Sequence, residues 1–391
     1  MLQRPLPSLR ALSCVAFVLL FASSRAQTDS INVGGLERTY TVRLPSAYDG
    51  VTPLPLVIAM HGGFGSGLQL EQQSLLTVKG EEAGFIVVYP DGVASPLGIR
   101  SWNAGWCCGY SSTNSIDDVG FIDSLLDTLE NELAIDTLRI YATGMSNGGF
   151  LSYRLACELS DRIAAIAPVA ASMSMTDCAP ARSMPVIAFH SYLDESVPYL
   201  GGIGTGISAH YNPPLDSVQN AFASHAACAV LNDTLQDDVE MTVISWHECD
   251  CAQEVLTYMT HDGGHSWPGG VQSPIGDPTS TVIDADDLMW AFFQQYTLDC
   301  ALPAGAPALP GLSGLAVYPN PTADAWRVVL PVDQGATRLR LFDAMGRAVR
   351  TITIPAGQRG VTVTTEGLAH GTYLLRTSNA QDDMQRLMVV E

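Results

Sequence analysis

At 391 residues the chain is too long for one ordinary domain and suggests two. Hydrophobic residues make up 47% of it, enough for a sizeable core. The 40 Asp+Glu against 19 Lys+Arg give a formal charge of −21, which argues against nucleic acid and anionic membrane as partners, because both repel a polyanion.

The charge is unevenly spread. From 27 to 313, eight Lys+Arg stand against 33 Asp+Glu, a net of −25, whereas 314 to 391 carries eight against seven, a net of +1. Two regions with differently selected surfaces account for that contrast.

In chain order, the first segment has Arg4 and Arg10, an apolar stretch over 11–22, and Ser24-Arg25-Ala26. Small residues at the −3 and −1 positions predict a signal peptide over 1–26, cleaved after Ala26, which places the protein outside the cell or on its outer surface. The apolar stretch is short for a membrane span, and no later segment is suited to one. Beyond Cys14, eight cysteines remain: Cys107, Cys108, Cys157, Cys178, Cys228, Cys249, Cys251 and Cys300. An even set in an exported chain reads as disulfides. Zinc held by Cys249, Cys251, His247 and His261 is the rival reading, but the cysteine spacing is tight and export favours oxidation, so no metal is assigned. Cys228 with Cys251 is the expected pair, since each flanks a predicted core element.

Residues 27–300 alternate strand-like and helix-like patterns. Strands are predicted at 40–44, 56–60, 85–89, 139–143, 164–168, 186–190 and 255–260. The clearest helix is 119–133, where Ile122, Leu125, Leu126, Leu129 and Leu133 keep one apolar face behind Asp117 and Asp118. A further helix is predicted at 285–295. This alternation argues an α/β fold with a mostly parallel sheet flanked by helices.

Several loops after these strands carry reactive residue types. The strand at 56–60 runs into His61-Gly62-Gly63-Phe64-Gly65, a glycine-rich turn whose Gly63 or Phe64 amide is placed to join Asn147 in an oxyanion hole. The strand at 139–143 runs into Gly144-Met145-Ser146-Asn147-Gly148 and then a helix-like stretch. That is the setting of a nucleophile elbow, in which a sharp turn lifts the serine hydroxyl to a helix N-terminus. A serine needs a base, and the base needs an orienting acid. Asp194 follows the strand at 186–190, and His265 follows the strand at 255–260, in the order Ser, Asp, His of an α/β-hydrolase. Trp102, Trp106 and Trp267 lie in glycine-rich loops and are candidates to stack on substrate. His61, His190 and His261 read as structural hydrogen-bonding residues.

After 300 the composition changes. A Pro/Ala/Gly-rich run predicts a linker over 301–314. Short alternating runs at 315–318, 326–330, 338–342, 349–354, 361–365, 373–377 and 386–390 predict a small all-β sandwich over 315–391. No nucleophile or metal cluster is evident in it.

The runs WNAGWCCG at 102–109, DDVGFI at 117–122, GMSNGG at 144–149, AIAPVA at 165–170 and GHSWPG at 264–269 resemble the polyhydroxybutyrate depolymerase/feruloyl esterase family. That is a group of secreted α/β-hydrolases overlapping carbohydrate esterase family one, and the resemblance covers roughly 32–296. It implies Ser146, Asp194 and His265 as catalytic triad, with no cofactor. HSYLD at 190–194 departs from the family's usual His-Gly-Thr-x-Asp, placing bulkier Tyr192 and Leu193 beside the acid. The runs VYPNP at 317–321, LFDAMG at 341–346 and GTYLL at 371–375 resemble a type IX secretion C-terminal sorting domain, which implies that secretion machinery as partner. Together they imply a secreted serine ester hydrolase whose partner is an ester of plant polysaccharide or polyester. Feruloyl esters of cell-wall xylan come first, and polyhydroxybutyrate and acetylated xylan are the alternatives. A non-catalytic surface-displayed binding protein is the reading from another class.

Overall fold

The computed structural model describes residues 25–205, 210–273 and 276–299, and towards the C-terminus 316–318, 325–329, 337–342, 347–354, 360–377 and 385–390. The expected signal peptide up to 24 and the expected linker fall outside these residues. Arg25 and Ala26 open the first strand, opposite Leu44 and Arg43.

Strands β1 (Arg25–Val33) and β2 (Leu36–Leu44) lead into β3 (Leu54–Met60), helices α1 (Gly67–Ser74) and α2 (Leu76–Ala83), and β4 (Ile86–Pro90). A small hairpin, β5 (Val93–Ala94) with β6 (Arg100–Ser101), and the short helix α3 (Gly109–Thr113) precede α4 (Asp118–Glu132). Then β7 (Ile135–Met145), α5 (Asn147–Glu158), β8 (Ala165–Val169) and β9 (Val186–Ser191) follow. The hairpin β10 (Gly202–Ile203) and β11 (Tyr211–Asn212), helix α6 (Leu215–His225), strands β12 (Val230–Asp237), β13 (Met241–His247) and β14 (Val255–Thr260), and helix α7 (Ala285–Phe293) complete the large layered part.

One 10-stranded sheet runs in the order β1-β2-β4-β3-β7-β8-β9-β14-β13-β12. From β4 to β14 the neighbours are parallel, and both flanks are antiparallel. The sheet's alternation explains how both faces are covered. Leu56, Ile58 and Met60 of β3 join a cluster with Phe121 and Leu125 of α4 and Phe150 and Leu151 of α5. Val57 and Ala59 of the same strand face Leu70 of α1, Leu76 of α2 and Phe292 of α7. Each fully buried Val, Leu or Ile side chain favours the fold by about 1.5–3 kcal/mol over an exposed one. This α/β architecture is the expected one.

Helix α4 begins where the sequence predicts. Its N-cap is Asp117, whose side chain accepts from the Gly120 N–H at 2.8 Å. Asp118 plays another part, being fully buried and paired with Arg38 of β2 at 2.6 Å.

The tail holds β15 (Ala316–Tyr318), β16 (Ala325–Val329), β17 (Thr337–Phe342), β18 (Ala348–Ile354), β19 (Gly360–Thr364), β20 (Gly371–Thr377) and β21 (Gln385–Val390). They form a β15-β16-β19 sheet and a β18-β17-β20-β21 sheet. Trp326 and Val328 from the first share a buried cluster with Leu339, Leu341, Tyr373 and Leu375 from the second.

The disulfide expectation needs one correction. Cys228 bonds Cys249 rather than Cys251. The antiparallel register of β12 on β13 sets Val230 opposite His247, so two residues further out 228 and 249 face each other. Cys251 sits beyond that register in an exposed 3-10 turn. Cys157 bonds Cys178, and the adjacent Cys107 and Cys108 bond each other. Among the described residues no helix is long and apolar enough to cross a membrane.

Candidate active site

Ser146 stands between β7 and α5 with φ 52° and ψ −122°. Such a conformation strains any residue with a β-carbon, at a cost of order 1–3 kcal/mol. Two bonds hold it there: its N–H donates to Val169 O at 2.9 Å, and its C=O accepts from Phe150 N at 2.9 Å. The elbow's glycines answer a steric need. A β-carbon on Gly148 would lie 2.0 Å from Met60 O, and one on Gly144 would lie 2.6 Å from the same atom. Among the described residues the half-buried Ser146 hydroxyl has no hydrogen-bond partner.

Asp194 lies in the turn after β9 and is buried. Its Oδ1 accepts from the Ser196 and Val197 amides at 2.9 and 2.8 Å, and its Oδ2 accepts from His265 Nδ1 at 2.8 Å. Burial pushes the Asp194 carboxyl up, but the His265 hydrogen bond and the charges around it outweigh burial and hold it below the usual carboxylate range. A carboxylate only accepts, so His265 Nδ1 carries a proton and donates it. His265 is fixed from behind as well, its N–H donating to Asp277 Oδ2 at 2.8 Å. Ser146, Asp194 and His265 all follow the C-terminal ends of parallel strands in the order β7-β8-β9-β14. Asp194 and His265 are joined directly. Ser146 Oγ makes no hydrogen bond to His265.

The His61–Gly65 turn packs on the elbow: a β-carbon on Gly62 would meet Ser146 Cβ at 3.5 Å. The two candidate donors in this turn differ. The Phe64 N–H is taken by Arg100 O at 3.0 Å, so Phe64 is not a free oxyanion donor, and that expectation is corrected. The Gly63 N–H has no partner among the described residues, and neither does the Asn147 N–H at the start of α5. A helix N-terminus adds positive potential at that point.

His61 shapes this turn. Its Nε2 accepts from Gly92 N at 2.9 Å, which makes Nδ1 the protonated nitrogen, and Nδ1 donates to Gly62 O at 2.7 Å. Burial lowers its pKa to about 4. In the unfolded chain an imidazole titrates near 6.5, so between those values the unfolded state binds more protons. His61 therefore stabilises the fold fully above about pH 6.5, and that contribution is lost as pH falls toward 4. From pH 7 to pH 5 the expected loss is about 2 kcal/mol. Urea unfolding of His61→Gln should show a pH dependence flatter than wild type by that amount; equal slopes would contradict the assignment.

Two of the three tryptophans are structural, correcting the substrate-stacking expectation. Trp102 is fully buried, its indole N–H donating to His61 O at 2.9 Å. Trp267 is buried as well, with its indole N–H on Asp286 Oδ1 at 2.9 Å. An indole donor inside the core needs an acceptor, and both find one from a distant segment. Trp106 differs, being 42% exposed, with its backbone N–H on Ser174 O at 3.0 Å and its indole N–H on Tyr211 O at 3.1 Å. Tyr211 beside it is 58% exposed.

Two supports escape sequence reasoning. The Asn147 side chain latches the loop before Trp106: its Oδ1 accepts from Trp102 N at 2.7 Å and its Nδ2 donates to Trp102 O at 3.0 Å. The buried Arg38–Asp118 pair backs the same loop, since Asp118 Oδ2 accepts from Asn103 N at 2.7 Å and the guanidinium stacks 3.9 Å over Phe121. The Gly-Met-Ser-Asn-Gly run at 144–148 hints at the latch, but Arg38 and Asp118, 80 residues apart, leave no local pattern. The residues of the zinc alternative are engaged elsewhere: His247 pairs with Asp233 at 3.0 Å, His261 stacks on Tyr192 at 4.6 Å, and Cys249 bonds Cys228.

With this geometry in hand, comparison with known proteins gives three results. Residues 38–188 match the family model described as esterase PHB depolymerase, and residues 316–391 match the secretion system C-terminal sorting domain. Feruloyl esterase B of Piromyces equi is 35% identical over 171 residues, which are 42% of this chain and 31% of that protein, so the chain spans about a third of that relative. Feruloyl esterase D of Neurospora crassa is 26% identical over 284 residues, 69% of this chain and 86% of the relative. Among solved structures, an acetyl xylan esterase from Aspergillus awamori superposes with TM-score 0.46 and 13% identity, covering 62% of this chain and 94% of that one.

Proposed function

We propose that this exported carboxylic-ester hydrolase, matched to the PHB depolymerase esterases and ending in a secretion sorting domain, is a serine feruloyl esterase of plant cell-wall xylan. The observation that carries the chemistry is the Asp194–His265 hydrogen bond of 2.8 Å at the strand ends beside the Ser146 elbow. Ser146 Oγ attacks the ester carbonyl while His265 Nε2 takes its proton. Asp194 keeps the imidazole in the required tautomer and stabilises the imidazolium. The Asn147 and Gly63 amides receive the developing oxyanion. His265 returns the proton to the leaving sugar alkoxide, and water then resolves the acyl-enzyme by the same steps in reverse.

The substrate reading draws on the relatives named as feruloyl esterases and on exposed Trp106 and Tyr211, whose faces suit an aromatic acid or a sugar ring. On this reading 27–300 is the catalytic unit, 301–314 the linker and 315–391 the sorting unit. Polyhydroxybutyrate is the second reading, favoured by the description of the matched family.

The test is parallel incubation of the full chain with methyl ferulate, acetylated xylan and polyhydroxybutyrate film. Ferulate release at a kcat/KM at least about tenfold above the other arms is expected, a margin of about 1.4 kcal/mol in transition-state binding. Hydroxybutyrate or acetate release without ferulate would replace the proposed substrate and leave the serine mechanism standing.

A further inference from the structure

His190, the next-to-last residue of β9, is buried to 3% exposure, yet the mechanism above gives it no role. Its Nε2 lies 2.7 Å from Val197 O, so Nε2 carries the proton and donates. The same nitrogen is 3.8 Å from Asp194 Oδ2, the oxygen that holds His265. The other ring nitrogen, Nδ1, is buried without a partner. An apolar side chain of similar size would remove the orphaned Nδ1 but would leave Val197 O without this donor. Keeping an imidazole here makes sense only if its N–H is needed.

We propose that His190 is a positioning residue for the acid of the triad, acting through Val197. That valine is held at both ends: its N–H supports Asp194 Oδ1 at 2.8 Å, and its C=O takes the His190 proton. The imidazole thus ties the acid turn back onto the strand that launches it and fixes where Oδ2 points. Its neutrality matters too. A protonated ring 3.8 Å from Oδ2 would compete with His265 for the carboxylate, and burial disfavours that charge. The ionisable groups acting on His190 are Asp194 on the turn and His265 from the segment after β14; the Asp262 carboxylate is engaged by Ser280 and Thr281, and that of Asp277 by the His265 backbone N–H. The inference rests on Asp194 and His265 acting as acid and base.

The test compares His190→Leu, which removes the donor, with His190→Gln, which keeps an N–H able to reach Val197 O. Hydrolysis of p-nitrophenyl acetate by the full chain is measured against pH, with melting temperatures alongside. His190→Leu should lower kcat roughly 10- to 100-fold with KM within about twofold, as a misaimed acid does. The acid limb of kcat/KM should move to lower pH, because an imidazolium beside a displaced carboxylate loses its counter-charge. His190→Gln should recover to within about threefold of wild type. If His190→Leu does not fold, His190→Asn, too short to reach Val197, takes its place. A folded donor-less variant with wild-type kcat and acid limb would overturn the proposal, as would a folded His190→Gln no better than His190→Leu. Failure of the triad itself is read separately, from a Ser146→Ala enzyme that keeps its activity.

Discussion

Ser146→Ala is expected to lower kcat on p-nitrophenyl acetate by roughly 10^5-fold or more while leaving the melting temperature unchanged. The first half follows from the chemistry: without Oγ there is no acyl-enzyme, and only the amides and the bound geometry remain to assist water. The second half follows from the structure. Ser146 Oγ has no hydrogen-bond partner among the described residues, so its removal leaves no polar group stranded. Alanine also carries a β-carbon and meets the same strain at φ 52°. Adding His265→Ala to Ser146→Ala should cost little more, because the two residues act as one unit. A Ser146→Ala protein that still cleaved the ester at a comparable rate would remove the serine mechanism altogether.

The parts of this molecule that were readable in advance are those that local pattern determines. The strand Val255–Thr260 falls where its apolar run predicts, and the tail's seven strands each overlap a predicted run. The placement of Ser146, Asp194 and His265 just after strand ends is legible because the strand and the residue that follows it sit side by side in sequence. What stayed hidden depends on partners far along the chain. Phe64 looked like a free donor until Arg100, 36 positions later, is seen to take its N–H. Trp102 and Trp267 looked available because their loops lack periodicity, yet each indole is buried on an acceptor from another segment. The Cys228–Cys249 bond follows from the β12–β13 register, and β12 was not predictable by alternation. Its run Val230-Leu231-Asn232-Asp233-Thr234-Leu235-Gln236-Asp237 is an edge strand, half exposed and interrupted by register shifts. None of its residues is fully buried, so no core face imposes an alternation on it.

Gly148→Ala tests whether the elbow is a steric device rather than a flexible hinge. Gly148 is on the first turn of α5, and its φ is not in the left-handed region, so conformational freedom is not why glycine is required there. Space is the reason. An added β-carbon would sit 2.0 Å from Met60 O, 2.5 Å from Met60 C and 2.7 Å from His61 O. All three are backbone atoms of the strand end that feeds the Gly62–Gly63 turn, so no side chain can rotate away to make room. Helix α5 would have to lift from β3, and overpacking relieved only by backbone movement should cost about 3 kcal/mol or more. For a chain of this size that lowers the melting temperature by roughly 5 °C. The same shift would separate the Asn147 amide from the Gly63 amide, and a displacement of about 1 Å in such an arrangement lowers kcat by roughly 10^2-fold. Thermal melts and p-nitrophenyl acetate hydrolysis measure the two effects independently. Wild-type values in both would mean that α5 and β3 can part without consequence, and the tight elbow would then not be what sets the Ser146 geometry.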